Sequence, residues 1–306
     1  MVFGHPAVAV AIDQGVRVSV EESDKWKLEG SSFEPSRHPH ISHIIQNIFQ
    51  YTGPPLDIDV DSSLFSAAGM GSSAALSNAF GAAMYAYLNP GEKLDAVRLA
   101  KIAHSAEATA QKGRASPTDT ATSALGGCVV VSGRAVPGTR HVFDTSLETP
   151  EGSREWAINV VDIPPGFGDA WLVIGYSGIG SPTGRMVAKV AKLISEVPDM
   201  MAEMEAIANI TRAGLVALSA GNLEGLGMAM DACHDSLRKL KVSSKKLDRM
   251  VSAARPHSLG AKLTGAGGGG CMVALTHEPT RVSEAIEVAG GVPLSTRLGA
   301  EGVRFL

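Results

Sequence analysis

The stretch SAAGMGSSAAL at residues 66–76 decides how this chain reads. Two glycines flank Met70, Ser72 and Ser73 follow, and an alanine-rich run continues to Leu88 before Pro90 and Gly91 stop it. The pattern predicts a helix over residues 72–88, entered through a loop with almost no side chains. A helix N-terminus leaves its first N–H groups unpaired and carries partial positive charge. Glycine lets a phosphate approach that backbone, and serine either caps the helix or places a hydroxyl beside a phosphate-bound metal ion. A capped helix behind a flexible loop explains the same letters, so spacing alone leaves both readings open.

Gly69, Gly71 and Ala74 also fit the G-x-G-x-x-A dinucleotide fingerprint. The acidic residue that should follow about 20 positions on falls near Glu92, behind a Pro-Gly turn instead of at a strand end. A Walker A loop needs Gly-Lys-Ser/Thr, and that triplet is absent from the chain.

A second cluster runs from Gly265 through Ala266, Gly267, Gly268 and Gly269 to Gly270. A strand-like CMVALT follows, where a dinucleotide fingerprint needs a helix. So many glycines lose much backbone entropy on ordering. A tight hairpin needs only two, so the run predicts a loop pressed against a ligand or against another loop. The third cluster is ASPTDT at 115–120, small and hydroxyl residues around Asp119 at an apparent helix start. Taken alone, Ser116 or Asp119 reads as a helix cap. A chemical role for Asp119 needs the other two clusters beside it.

Of the 306 residues, 44% are apolar and 19% charged, the balance of a globular protein with a sizeable core. The length allows two domains. A net charge of −4, with Lys and Arg spread out except near 238–246, argues against a nucleic-acid surface. Cys128, Cys233 and Cys271 are few and far apart, without metal-ligand spacing, which fits a reducing cytoplasm. Asp13 cuts the N-terminal apolar run short, so no signal peptide is read. No run reaches the roughly 18–20 apolar residues of a membrane span.

AVAVAID (7–13) and RVSVEE (17–22) read as strands paired around Gln14-Gly15. Residues 38–52 carry a helical period, 56–60 a strand, 94–110 a helix and 128–133 a strand. Residues 134–165 read as irregular, with a domain boundary between 150 and 170. Residues 170–178 read as a buried strand. Helices follow near 184–195, 198–219, 222–240 and 244–254, then two glycine-joined strands over 260–276, a helix near 279–289 and a strand near 292–298. Met228 and Met230 read as core, and His43, His104 and His234 as helix-face residues.

The three clusters, in this order and at these separations, resemble the motifs of the GHMP kinase superfamily, most closely those of archaeal mevalonate kinases. Gly69 to Ala75 matches the second half of the family's Pro-x-Gly-x-Gly-Leu-Gly-Ser-Ser-Ala-Ala pattern, with Phe65 and Ala67 where Pro and Gly are usual. Lys262 to Cys271 matches the C-terminal motif closely, Ser116 to Asp119 the segment of the catalytic aspartate, and His38-Pro39-His40 the region before the first long helix. The resemblance implies an α+β, two-domain GHMP kinase fold. Residues 1–160 would form an N-terminal domain with the ATP phosphate loop and catalytic Asp, and 161–306 a ferredoxin-like α+β domain. It implies ATP- and Mg2+-dependent phosphorylation of mevalonate to 5-phosphomevalonate, in isoprenoid precursor synthesis, by a cytoplasmic homodimer.

By that resemblance Gly69, Met70, Gly71, Ser72, Ser73 and Ala74 hold the ATP phosphates, Ser73 binds Mg2+, and Asp119 accepts the proton of the substrate hydroxyl. Thr183, Thr264, Gly265, Ala266, Gly267 and Gly268 would shape the phosphate and substrate site. The family's magnesium glutamate stands eleven residues before the aspartate. Here that position is Ala108, and Glu107 serves only if one extra residue is absorbed near Lys112. The family also begins with a strand carrying a lysine that pairs with the aspartate, and a Glu-His pair near the substrate. Gly4-His5-Pro6 matches the segment just after that strand, so the expectation is a start placed too late. A chain without the strand would bind nucleotide without catalysis. Phosphomevalonate, homoserine or a sugar are the alternative substrates, and a nicotinamide-dependent oxidoreductase is the alternative chemistry.

Overall fold

A computed structural model describes residues 5–64, 69–149, 152–164, 167–181 and 183–306. Its described strands form three four-stranded sheets. β1 (Ala7–Val10), β6 (Cys128–Ser132), β8 (Gly152–Val161) and β7 (Arg140–Thr149) form an antiparallel sheet in that order. β2 (Val16–Glu22), β5 (Leu56–Ser62), β3 (Lys27–Leu28) and β4 (Ser31–Ser32) form the second.

The N-terminal sequence therefore makes two strands, as expected, but they do not pair with each other. β1 is apolar at all four positions and joins β6, which is buried along its whole length. β2 alternates, with Val16, Val18 and Val20 half-buried and Arg17, Ser19 and Glu21 exposed, and joins the similarly one-sided β5. Matching of buried faces outweighs the local turn signal at Gly15. The expected helix over 38–52 is also cut down. It is a short α1 (Pro39–His43) running into a π-helical turn at Ile44–Ile48.

α2 (Ser72–Leu88) and α3 (Ala96–Ala110) bury Phe80, Met84, Leu99 and Ile102 against Ile41, Ile44, Leu56 and Ile58. Asp95 caps α3 by accepting the Val97 and Arg98 N–H groups. α4 (Thr118–Leu125) lies between α3 and the first sheet, with Ala121 and Ala124 facing Val129 and Val131. The expectation of irregular structure over 134–165 is corrected. β7 and β8 form a long hairpin whose connecting residues 150–151 lie outside the described set. β7 carries a charged and hydroxyl-rich exposed face, which masks its alternation.

In the C-terminal half β10 (Gly260–Leu263), β11 (Cys271–Thr276), β9 (Trp171–Tyr176) and β12 (Val292–Thr296) form an antiparallel sheet. Alternate residues serve two cores. Val173, Met272 and Ala274 pack with α8 (Lys245–Ala254) and α9 (Pro279–Val288). Leu172 and Leu275 pack with Leu215 and Leu218 of α6 (Met201–Ser219) and Leu223 of α7 (Leu223–Lys239). Met230 packs against this second core, whereas Met228, expected inside, is 71% exposed. α5 (Thr183–Glu196) starts beside the cleft between the halves.

The tail beyond β12 returns to the first half. Gly127 N–H donates to Ala300 O, Gly299 N–H to Ala11 O and Val303 N–H to Ala124 O. Asp13 accepts from the Arg297 N–H, and its own N–H donates to Thr296 Oγ1. Among the described residues, no helix is long and apolar enough to cross a membrane.

Candidate active site

Gly69 and Gly71 both adopt left-handed backbone, φ 74°, and Gly71 is the N-cap of α2. Neither Ser72 nor Ser73 caps the helix, and no side chain among the described residues closes its N-terminus. Its first N–H groups are therefore left without a side-chain partner, the arrangement that suits an anion. Gly69, Met70, Gly71 and Ala74 line that cleft, which encloses about 2590 Å3 between the halves. Met70 also packs on Ile174 and Cys271 of the opposite half. Residues 65–68 of the same stretch lie outside the described set.

Asp119 sits in the first turn of α4. The helix start is served by Ser116, whose Oγ accepts the Thr118 N–H at 3.3 Å, and Asp119 is no cap. A Cβ placed on Gly71 would lie 3.3 Å from Asp119 Cβ and 3.4 Å from its Cγ. The carboxylate and the α2 N-terminus thus share the cleft floor. Among the described residues Asp119 has neither a hydrogen bond nor an ion pair. Asp119 is exposed, its side chain open to the cleft, and the cleft walls partly desolvate its carboxylate. That desolvation, followed by the negative charge of Glu107, pushes its pKa above the usual carboxylate value.

Glu107, on α3, is 4% exposed. Burial raises its pKa, but His40, Ser73 and Gln111 outweigh burial and hold it low. Gln111 Nε2 donates to Glu107 Oε2 at 2.6 Å, and Ser73 lies beside the carboxylate and helps to lower its pKa. Glu107 Oε1 lies 3.3 Å from His40 Nε2, a charge contact whose alignment falls short of a hydrogen bond, and Oε1 is otherwise buried without a partner. Lys112 and Gly113, both left-handed, close the turn after α3. A buried acceptor with a spare oxygen beside a serine hydroxyl fits a divalent cation. Arg37, His38 and His40 join Ser73 and Glu107 around a side cavity of about 380 Å3, and Glu107 lines both spaces. The spacing to Asp119 pointed to Glu107, but nothing in the sequence marked His40 as its neighbour.

The second glycine loop divides in two. Thr264, Gly265 and Ala266 line the cleft, and a Cβ on Gly265 would sit 3.6 Å from Gly69 O. Gly267 and Gly268, expected to shape the site, turn away from it. A Cβ on Gly267 would lie 2.2 Å from Val242 O, and one on Gly268 2.8 Å from Met186 Sδ. Gly268 N–H donates to Val242 O at 2.7 Å. Of the two expectations for this loop, contact with another loop holds for these glycines. Ser181 Oγ donates to Gly267 O at 3.0 Å, which ties the loop to the start of α5. Thr183 opens α5, exposed and lining the cleft.

Other candidates resolve as structural. Cys128 and Cys271 are buried with thiol pKa values pushed up to about 12 by desolvation, and all three cysteines are free. His234 is 2% exposed, and its Nδ1 accepts the Leu263 N–H, pinning α7 to β10.

Comparison with known proteins identifies the family. The family model for the GHMP kinases N terminal domain matches residues 39–127, and that for the GHMP kinases C terminal matches residues 215–290. The mevalonate kinase of Pyrococcus horikoshii is 35% identical over all of this chain and 92% of its own length. That of Methanothermobacter thermautotrophicus is 32% identical over 94% of this chain and 88% of its own. Among solved structures, L. major mevalonate kinase in complex with R-mevalonate superposes with a TM-score of 0.78 at 21% identity, covering 99% of this chain and 92% of that one. The Methanococcus jannaschii mevalonate kinase superposes with a TM-score of 0.75 at 22% identity, covering 98% and 93%. With identity at this level sustained along its whole length, the chain belongs to the GHMP kinase family, with archaeal mevalonate kinases among its relatives.

Proposed function

We propose that this chain transfers the γ-phosphoryl group of ATP to the 5-hydroxyl of mevalonate. The observation that carries the proposal is the unpaired Asp119 carboxylate packed on Gly71 at the open N-terminus of α2. One group accepts a proton, the other faces a phosphate, and the two are in contact. The substrate hydroxyl gives its proton to Asp119 as its oxygen bonds to the γ-phosphorus. The bond to the β-bridging oxygen breaks and ADP leaves. A carboxylate with a raised pKa is a stronger base for that step. Phosphoryl transfer otherwise needs positioning and charge neutralisation more than covalent help.

The N–H groups of residues 72–74 would face the phosphates, with Gly69 and Gly71 allowing close approach. Ser73 and Glu107 would hold Mg2+, which neutralises phosphate charge when bound. Thr183, Thr264, Gly265 and Ala266 would border the transferred group from the other half. Residues 1–160 and 161–306 serve as the two domains in this reading, and the enzyme would work in the cytoplasm as a homodimer. A coupled ADP-release assay tests it. Turnover with mevalonate and little with phosphomevalonate, homoserine or galactose is expected. Turnover only with another alcohol would reassign the substrate.

A further inference from the structure

Asp119 stands between two backbone carbonyls that are gripped from outside its own segment. His104 of α3 donates from Nε2 to Ala115 O at 3.3 Å. Its ring is 4% exposed and meets Trp156 edge-on, centroids 5.6 Å apart. Burial lowers its pKa, so at neutral pH the imidazole is uncharged and the proton belongs on the nitrogen facing the carbonyl. On the other side Asn78 of α2 donates from Nδ2 to Thr120 O at 2.9 Å. Asn78 is 1% exposed, and its Oδ1 is buried with no partner.

The Asn78 bond is not needed to satisfy its acceptor. Thr120 lies within α4, where the helical ladder already serves its carbonyl. A leucine at position 78 would fill the site without an orphaned amide oxygen, so the amide is unfavourable for packing. What it supplies is a fixed distance. Asn78 lies within α2, the helix whose N-terminus Asp119 touches, so its bond ties the two functional elements directly.

We propose that Asn78 and His104 are positioning residues for phosphoryl transfer, clamping the backbone at Thr120 and Ala115 so that the Asp119 carboxylate is held against the α2 N-terminus. The proposal rests on Asp119 as the base. A misplacement of about 1 Å costs roughly a hundredfold in rate. Asn78→Leu in the full chain is therefore expected to lower kcat about 10- to 100-fold while leaving the KM for ATP within about twofold. His104→Met is expected to lower kcat similarly, and His104→Gln, whose amide nitrogen reaches the same carbonyl, to restore most of it. Ser77→Ala, which removes a neighbouring buried hydroxyl without a partner, serves as the packing control at parental kcat.

In an Asp119→Asn background, Asn78→Leu should cost nothing further, because the group it positions is gone. Parental kcat in a folded Asn78→Leu protein, or an equal loss in the Asp119→Asn background, overturns the clamp. If Asn78→Leu does not fold, the His104 pair decides, and equal kcat for His104→Met and His104→Gln overturns it. Parental kcat in Asp119→Asn would overturn the base assignment instead.

Discussion

Two loops in this protein, residues 69–74 and 265–270, carry the same glycine spacing for different physical reasons. At the first, the neighbours stand back. A Cβ on Gly69 would meet only Ser181, at 3.6 Å, and the space in front of α2 is open cleft. At the second, the protein's own backbone fills the space a side chain would need, with Val242 O, Gly180 O and Ile179 O all under 3.0 Å from positions 267 and 269. The first loop is bare towards open cleft, and the second, beyond Ala266, is bare for its neighbours. Glycine content marks close approach without saying what approaches.

The largest expected effect concerns the partner of the first loop. Asp119→Asn should lower kcat about 10²- to 10⁴-fold while ATP still binds. Calorimetric ATP binding lost in step with kcat would mean that the residue serves the nucleotide site instead.

Substitution within the loops sharpens the contrast. Gly267→Ala combines left-handed strain with overpacking against Val242 and should destabilise the fold by about 2–5 kcal/mol. Gly69→Ala should cost only about 1–2 kcal/mol and raise the KM for ATP. Urea unfolding of both reads this directly, and equal losses would break the comparison. Gly71→Ala is intermediate. Its Cβ meets Asp119 at 3.3 Å, so kcat should fall about tenfold or more from carboxylate displacement. Ser73→Ala should raise the Mg2+ concentration for half-maximal rate about tenfold, and an unchanged magnesium titration would remove Ser73 from the site.

The smallest effects come from the raised pKa of Asp119. The base works deprotonated, so the acid limb of kcat should lie above the ordinary aspartate value of 3.8 and move down in Glu107→Gln. The linkage sign is the reverse of a salt-bridged carboxylate. The native state binds the proton more tightly than the unfolded chain, so ionising Asp119 costs stability above its native pKa. Asp119→Asn should therefore raise the Tm at neutral pH, by an amount that fades as the pH falls towards 3.8. A lower Tm at neutral pH would mean that a cation pairs with the carboxylate.

Much of this arrangement was legible in the letters because local physics writes it there. Helix α2 begins at Ser72 and ends at Leu88 where glycine spacing, alanine content and Pro90 place its ends. Strands β10 and β11 flank the glycine run, as the two glycine-joined strands read over 260–276. The resemblance of the three clusters to the family's motifs pointed to Asp119 and Ser73, and the family's eleven-residue spacing pointed to the neighbourhood of Glu107. What only the tertiary structure decided concerns partners. β1 and β2 separate into different sheets because burial, a property of the assembled molecule, selects their neighbours. His40 meets Glu107 across 67 positions of sequence, and Asn78 meets Thr120 across 42. No periodicity records such contacts, since they depend on how packed helices cross. The glycines of 265–270 looked alike in sequence, and only their surroundings separate Gly265, which faces the cleft, from those that face Val242, Met186 and Ile179.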